Sequence, residues 1–220
     1  MLTRACSSHS SPQLLRRILA AFAVAVLVVL TSAGRASAAP PTPPDAPTSL
    51  AHLGELTVSA PLPGDDYDRD LFPHWSDQGD SCNTREVVLK RDGTDVSTGS
   101  DCYPTSGSWY SVYDGETTSE PSDIDIDHMV PLKNAWISGA ANWSTSQREA
   151  FANDLTHPQL IAVSDNSNQE KSDQDPSQWK PQETGEWCIY SRYWIEVKYV
   201  YELTITDAEK AALTDMLGSC

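Results

Sequence analysis

"DIDIDHMVPLKNAW", residues 123–136, alternates aspartates with isoleucines and then sets a histidine beside the last carboxylate. In a strand of period two, Asp123, Asp125 and Asp127 fall on one side and Ile124 and Ile126 on the other. Pro131 closes the run. Like charges this close repel and raise one another's pKa unless a cation sits among them. The stretch therefore reads either as a solvated acidic strand or as half of a metal site.

Downstream, "QLIAV" (159–163) reads as a buried strand, and "SDNSNQEKSD" (164–173) as a turn into a brief helix. Between the two strands lie "LKNAWISGA", a short helix stopped by Gly139, and "STSQREAFANDL", opened by a capping box from Ser144 to Gln147. Strand, helices, strand and helix in that order bring residues 125–128 to face 166–171.

Such a meeting suits phosphodiester hydrolysis, which needs a base to take a proton from water and a cation to steady charge on the phosphate. A hard divalent ion takes oxygen ligands and keeps several waters, so one carboxylate and one amide suffice. A strand points Asp127 and His128 to opposite sides; a bulge or bend at its end is expected to aim both at one cleft. Asn168 supplies the amide, although it also suits a helix N-cap. Lys171 lies three residues on, on the same side of the helix, to neutralise a phosphate oxygen.

The run "DIDHMVPL…AW…SGA…W" with "FANDL…QLIAVSDNSNQEKSDQDPSQWKP" resembles the secreted HNH endonucleases related to the C-terminal nuclease of GmrSD-type restriction enzymes. These carry a (D)H-x-x-P motif and belong to the ββα-metal, or His-Me finger, nucleases. The resemblance runs over roughly residues 65–220 and is dense from Asp123 to Pro181. It implies His128 as general base, Asp127 and Asn168 as metal ligands, and Lys171 on phosphate. It further implies supporting roles for Asn153, on the catalytic side, and Asp125, on the metal side. Mg²⁺ or Mn²⁺ is the implied cofactor, DNA the implied substrate with RNA as a second candidate, and 5′-phosphate and 3′-hydroxyl ends the implied products. Where many relatives place a His-Asn-Leu at the second strand, this chain has "HPQL", so His157 is not carried over. With His52 and His74 it reads as surface or structural. Cys-x-x-Cys pairs are absent, so a structural zinc is not expected.

The ends of the chain bear on its compartment. Arg4, Arg16 and Arg17 precede the apolar run "ILAAFAVAVLVVLT" and the small-residue sequence "ASAAP", the layout of a signal peptide cleaved after Ala38. Residues 1–38 hold four arginines and no acid, so their removal takes the formal charge from −16 to −20. The mature chain is expected to be secreted, monomeric and free of membrane. So acidic a surface disfavours non-specific adhesion to phosphate backbones. Nuclease action then needs Arg85, Lys90, Arg91, Lys133, Arg148, Lys171 and Lys180 gathered on one face, with weak, salt-sensitive binding and sequence-indifferent cutting.

Four cysteines remain after cleavage, and an even number in an exported chain points to disulfides. "VVLKRDGTDV" (87–96) reads as a hairpin about Asp92-Gly93, whose register sets Cys82 level with Cys102. Cys188 opens one helical pattern and Cys220 follows a second, antiparallel one, so Cys188–Cys220 completes the pairing. Residues 39–49 read as an extended proline-rich linker, with the nuclease domain over 50–220. "DDYDRDLFPHW" (65–75) reads as a short helix or loop anchored by Tyr67, Phe72 and Trp75. The aromatic face of 186–203 reads as core, and Thr206 to Glu209 as another capping box.

The expected fold is α+β: a ββα-metal core with an added N-terminal β-hairpin and a C-terminal helical hairpin, pinned by two disulfides. The rival reading is a non-catalytic exported module. In it the acidic strand, with Asp173 and Asp175 of "SDQDP", holds Ca²⁺, and the aromatic helix meets a wall polymer or partner.

Overall fold

The computed structural model describes residues 40–220 together with Met1, and the leader expected over 1–38 lies outside the described residues. The proline-rich segment is not the extended spacer its composition implies. Helix α1 (Ala46–Glu55) begins inside it, capped by the Asp45 side chain, which accepts from the Thr48 N–H at 2.9 Å. A proline in a first helical turn forfeits no bond, because those N–H groups have no partner there anyway. The carbonyls of Pro43 and Pro44 are gripped by the Arg192 guanidinium at 3.2 and 2.7 Å, which holds the segment down.

A 3-10 turn at Arg69–Leu71 follows, with Phe72 buried as expected. The short pair β1 (Asp77–Gly79) and β2 (Cys82–Asn83) leads into helix α2 (Thr84–Asp92), where a hairpin was expected. The deciding signal is "NTRE": the Asn83 side chain caps Glu86 N–H while the Glu86 carboxylate returns to Asn83 N–H at 2.7 Å. The hairpin instead joins β3 (Thr94–Thr98) to β4 (Pro104–Tyr110), and β5 (Thr117–Thr118) extends that sheet. Gly93 separates helix from strand because the Trp109 ring passes there to donate to the Leu89 carbonyl at 2.8 Å. A Cβ on Gly93 would stand 2.5 Å from that indole nitrogen.

The central element is the antiparallel pair β6 (Ile124–His128) and β7 (Leu160–Ser164), in regular register from Ile124 opposite Ser164 to His128 opposite Leu160. Ile124, Ile126, Leu160 and Ala162 pack on one face with Val88 and Leu89 of α2. Ile161 and Val163 join the main core on the other. Both faces are covered, which is why "LIAVS" carries no alternation and is buried throughout.

Helices α3 (Leu132–Ile137) and α4 (Thr145–Ala152) fill the excursion between the strands, and the Ser144–Gln147 capping box forms as expected. Helix α5 (Asp165–Lys171) follows β7 directly, so β6, β7 and α5 make a ββα unit. Helices α6 (Trp187–Val200) and α7 (Asp207–Leu217) form the expected hairpin, with the Thr206–Glu209 capping box in place. Tyr190, Trp194 and Val197 are core residues. No helix among the described residues is long and apolar enough to cross a membrane.

The fold is α+β, with Cys82–Cys102 and Cys188–Cys220 both formed. They close loops of 20 and 32 residues, each worth about 3–4 kcal/mol of chain entropy. Reduction is therefore expected to lower the urea midpoint of purified protein. Replacing Cys188 and Cys220 by serine should reproduce about half of that loss in a denaturation titration.

Candidate functional site

Strand β6 runs to His128 without a bulge, so the expected bend is absent and Asp127 and His128 leave on opposite faces. Both nevertheless border one cleft of about 300 Å³ at the strand's end, together with Asn168, Tyr67, Arg69 and Lys133. The juxtaposition of β6 with α5 that the sequence implied is therefore present.

His128 is buried, with its ring 5.7 Å from that of Trp75. Its Nε2 lies 2.9 Å from the Ala152 carbonyl. A carbonyl only accepts, so Nε2 carries the proton and Nδ1 is the bare nitrogen. Burial pushes the imidazole pKa down to about 3, so it is neutral throughout the physiological range. Asn153 secures this arrangement from the next position. Its Oδ1 accepts from Ser76 N–H (2.9 Å) and Thr84 hydroxyl (2.8 Å), and its Nδ2 donates to the Pro73 (2.9 Å) and Glu149 (2.8 Å) carbonyls. All four bonding positions are taken, so Asn153 has nothing left for a substrate. It clamps the backbone that presents Ala152 and Trp75, which corrects its catalytic assignment.

On the opposite face, period two of the strand meets period three of the helix. Asp125 Oδ2 accepts from Asn168 Nδ2 at 2.9 Å, and Asp127 meets Lys171 Nζ at 3.0 and 2.8 Å from its two oxygens. Tyr113 hydroxyl donates to Asp127 Oδ2 at 2.7 Å, and Lys171 also donates to the His128 carbonyl at 3.1 Å. Burial pushes the Asp127 carboxyl up and the Lys171 ammonium down, and their mutual attraction opposes both shifts. Lys171 is fully buried, so the phosphate contact expected of it is corrected: its charge is consumed inside the protein. Asp125 holds the amide of Asn168 and in doing so turns the amide oxygen away from itself.

Two oxygens of a carboxylate offer about four acceptor sites, and Asp127 uses three of them, on Lys171 and Tyr113. Among the described residues no group of three or more His, Cys, Asp or Glu gathers in metal-ligand geometry. A cation here would thus draw on the Asn168 amide, the remaining site of Asp127 and retained waters, a donor set that fits a hard ion. Asp173 is paired with Lys133 at 2.7 Å, and Asp175 caps Ser177 at 2.8 Å. The two acids assigned to Ca²⁺ are therefore already engaged, Asp173 at the edge of this same cleft with Lys133.

The single basic face is also corrected. Of the seven cations expected on it, only Lys133 borders the cleft. Arg148 is buried among the carbonyls of Leu71, Ala140 and Trp143. Arg85 and Arg91 donate to the backbone of Ile124 and Leu160, and Lys180 pairs with Asp215. Arg69, which sequence reasoning passed over amid the acids of "DDYDRD", stands at the cleft instead. Tyr113 and the Ala152 carbonyl were missed as well. The first has no motif, and the second is a backbone group that no residue type announces.

Lys171→Met should destabilise the protein by about 3–5 kcal/mol, because it strands the buried Asp127 charge. Adding Asp127→Asn should recover much of that loss in urea titrations. His128 has its own signature. Below pH 6.5 the unfolded chain takes up a proton that the folded ring refuses until pH about 3, so stability falls across that window. In chelator-treated protein, His128→Gln should flatten this part of the stability–pH curve.

The family model for GmrSD restriction endonucleases, C-terminal domain, matches residues 84–216. An "Uncharacterized secreted protein" of Arthroderma benhamiae is 59% identical over 181 residues, covering 82% of this chain and 89% of its own. No solved structure matches. The match includes β6, β7 and α5, with every residue described above at the strand end and on the helix; the chain belongs to the family of GmrSD restriction endonuclease C-terminal domains.

Proposed function

We propose that the protein is an exported, metal-dependent endonuclease that hydrolyses nucleic acid phosphodiester bonds without selecting sequence. The observation that carries this reading is the tautomer of His128. Its Nε2 is committed to the Ala152 carbonyl, so a bare Nδ1 is left on a ring bordering the same cleft as Asn168.

Nδ1 takes a proton from a water aligned with the phosphorus, and the attack expels the 3′ oxygen. Asn168 and Asp127 hold one Mg²⁺ or Mn²⁺, which when bound stabilises charge on the phosphate and the departing oxygen. Asp125 fixes the amide of Asn168, and Lys171 fixes Asp127. Arg69 meets a flanking phosphate, and Lys133 reaches a second by exchanging its partner Asp173 for it. Two such cations give weak affinity with a shallow but measurable salt dependence, since each phosphate contact contributes about one power of salt concentration. DNA is the first substrate to test and RNA the second. Export is supported by the disulfides, which persist in oxidising compartments, and by the secreted relative.

The rival binding module finds less support. Its aromatic helix is turned into the core, and its two turn aspartates are already engaged.

Plasmid DNA incubated with purified protein should be nicked with Mg²⁺ and spared with EDTA. His128→Ala should lower the rate about 10²–10⁴-fold while circular dichroism stays native. Nicking by the alanine variant at the wild-type rate would remove His128 as the base. Arg69→Ala should weaken binding to all sequences alike and reduce the salt slope.

A further inference from the structure

Tyr67 and Arg69, two residues apart in "DDYDRD" (65–70), both line the cleft. Two of the acids between and beside them are engaged in the fold. Asp66 Oδ1 accepts from the Trp136 indole N–H at 3.2 Å, and Asp68 caps the 3-10 turn by accepting from Asp70 N–H at 2.9 Å. Tyr67 is half-buried and is the outermost of three rings. It stands 6.3 Å from Phe72 and 6.2 Å from Trp136, inclined to them by 54° and 64°, and both of those rings are buried. Its own N–H donates to the Gly64 carbonyl at 3.2 Å. The tyrosine is thus braced from behind by the core and held by its backbone, a fixed aromatic surface beside a cation at the edge of the cleft.

The cleft is short of positive charge for the substrate proposed for it. The chain carries a formal charge of −16, and among the described residues only Arg69 and Lys133 bring cations to the cleft, the second paired with Asp173 at 2.7 Å. Affinity drawn from phosphates grows with the number of such contacts, so holding a strand on this surface calls for a source that does not depend on charge. Stacking of a base on an aromatic ring is one, worth about 5–100-fold in affinity per base, and it serves any sequence because every base has a π-face. In a duplex those faces are covered by the neighbouring pairs; in a single strand they are free. A cleft of about 300 Å³ is at the small end of ligand pockets and suits one nucleotide. We propose, resting on the nuclease reading of this cleft, that Tyr67 is a stacking platform for the base beside the scissile phosphate, with Arg69 on the adjoining phosphate, and that the substrate class is single-stranded nucleic acid. Supercoiled plasmid, which opens locally, remains a substrate, and relaxed duplex is a poor one.

Binding is measured with cutting suppressed. A fluorescent DNA strand of mixed sequence, and the duplex of the same sequence, are titrated by anisotropy with purified protein in EDTA. The strand should bind about 10-fold or more tightly than the duplex. Tyr67→Leu should weaken the strand about 5–100-fold with the salt slope unchanged, whereas Tyr67→Phe should bind as the wild type does. A strand of abasic sites should lose a similar factor on the wild type and nothing further on Tyr67→Leu. Equal affinity for strand and duplex would overturn the proposal, as would wild-type binding by Tyr67→Leu or an abasic strand held as tightly as the normal one. The abasic comparison needs only the wild type, so it decides the matter even if the leucine variant, short of one ring in its cluster, does not fold. Strand preference without cutting under any metal would remove the nuclease reading and keep the platform. Cutting of strand and relaxed duplex at one rate, with one affinity, would keep the nuclease and remove the platform.

Discussion

The ammonium of Lys171 ties the last turn of α5 to the end of β6, and the site depends on this tie. One nitrogen bonds both oxygens of Asp127 and the carbonyl of His128, in a place fully removed from water. Burying two opposite charges is costly, and the cost is offset only where geometry and further hydrogen bonds are good. Here Tyr113 supplies the further bond. With Lys171 fixed, Asn168 one turn earlier must lie over Asp125, and the amide reaches the cleft that His128 borders. A lysine that looked like a substrate contact is instead the fastening that brings strand and helix together.

The two sides of β6 are fastened by different means. On the α5 side, charged groups bond one another. On the α2 side, His128 is held by a backbone carbonyl, and that backbone is held by the four bonds of Asn153. The imidazole is therefore kept neutral by burial and oriented by a neutral acceptor, with no carboxylate beside it to raise its pKa. Within the cleft the carboxylates are matched by cations, Asp127 by Lys171 and Asp173 by Lys133, and Arg69 stands beside them against a heavily negative surface.

Much of this was legible in the sequence, and the failures have physical causes. Alternation named β6, unbroken hydrophobicity named β7, and two Ser/Thr capping boxes placed α4 and α7. The helix at 84–92 was lost because Asp92-Gly93 is a strong turn signal, whereas the asparagine-led box at Asn83 was the better guide. Its partner, the Cys82–Cys102 bridge, was inferred through a hairpin register that does not exist, yet the pairing holds. Residue types singled out Asp127, His128, Asn168 and Lys171, and the family resemblance added Asp125 and Asn153. They could not say which of them turn inward, because that depends on partners such as Tyr113 and the Ala152 carbonyl, distant in the chain and marked by no pattern.

Gln159 closes the excursion between the two central strands. Its side chain brackets Val130, accepting from the N–H at 3.1 Å and donating to the carbonyl at 2.9 Å, while its own carbonyl takes the Met129 N–H at 2.7 Å. The thirty-odd residues carrying α3 and α4 thus leave and return through one sealed neck. Strand pairing is set at the neck and does not depend on how long the detour is, since loop-closure entropy grows only slowly with length. The detour is the natural place for related chains to gain or lose whole helices, and for a grafted module to be accepted without disturbing the register beneath it.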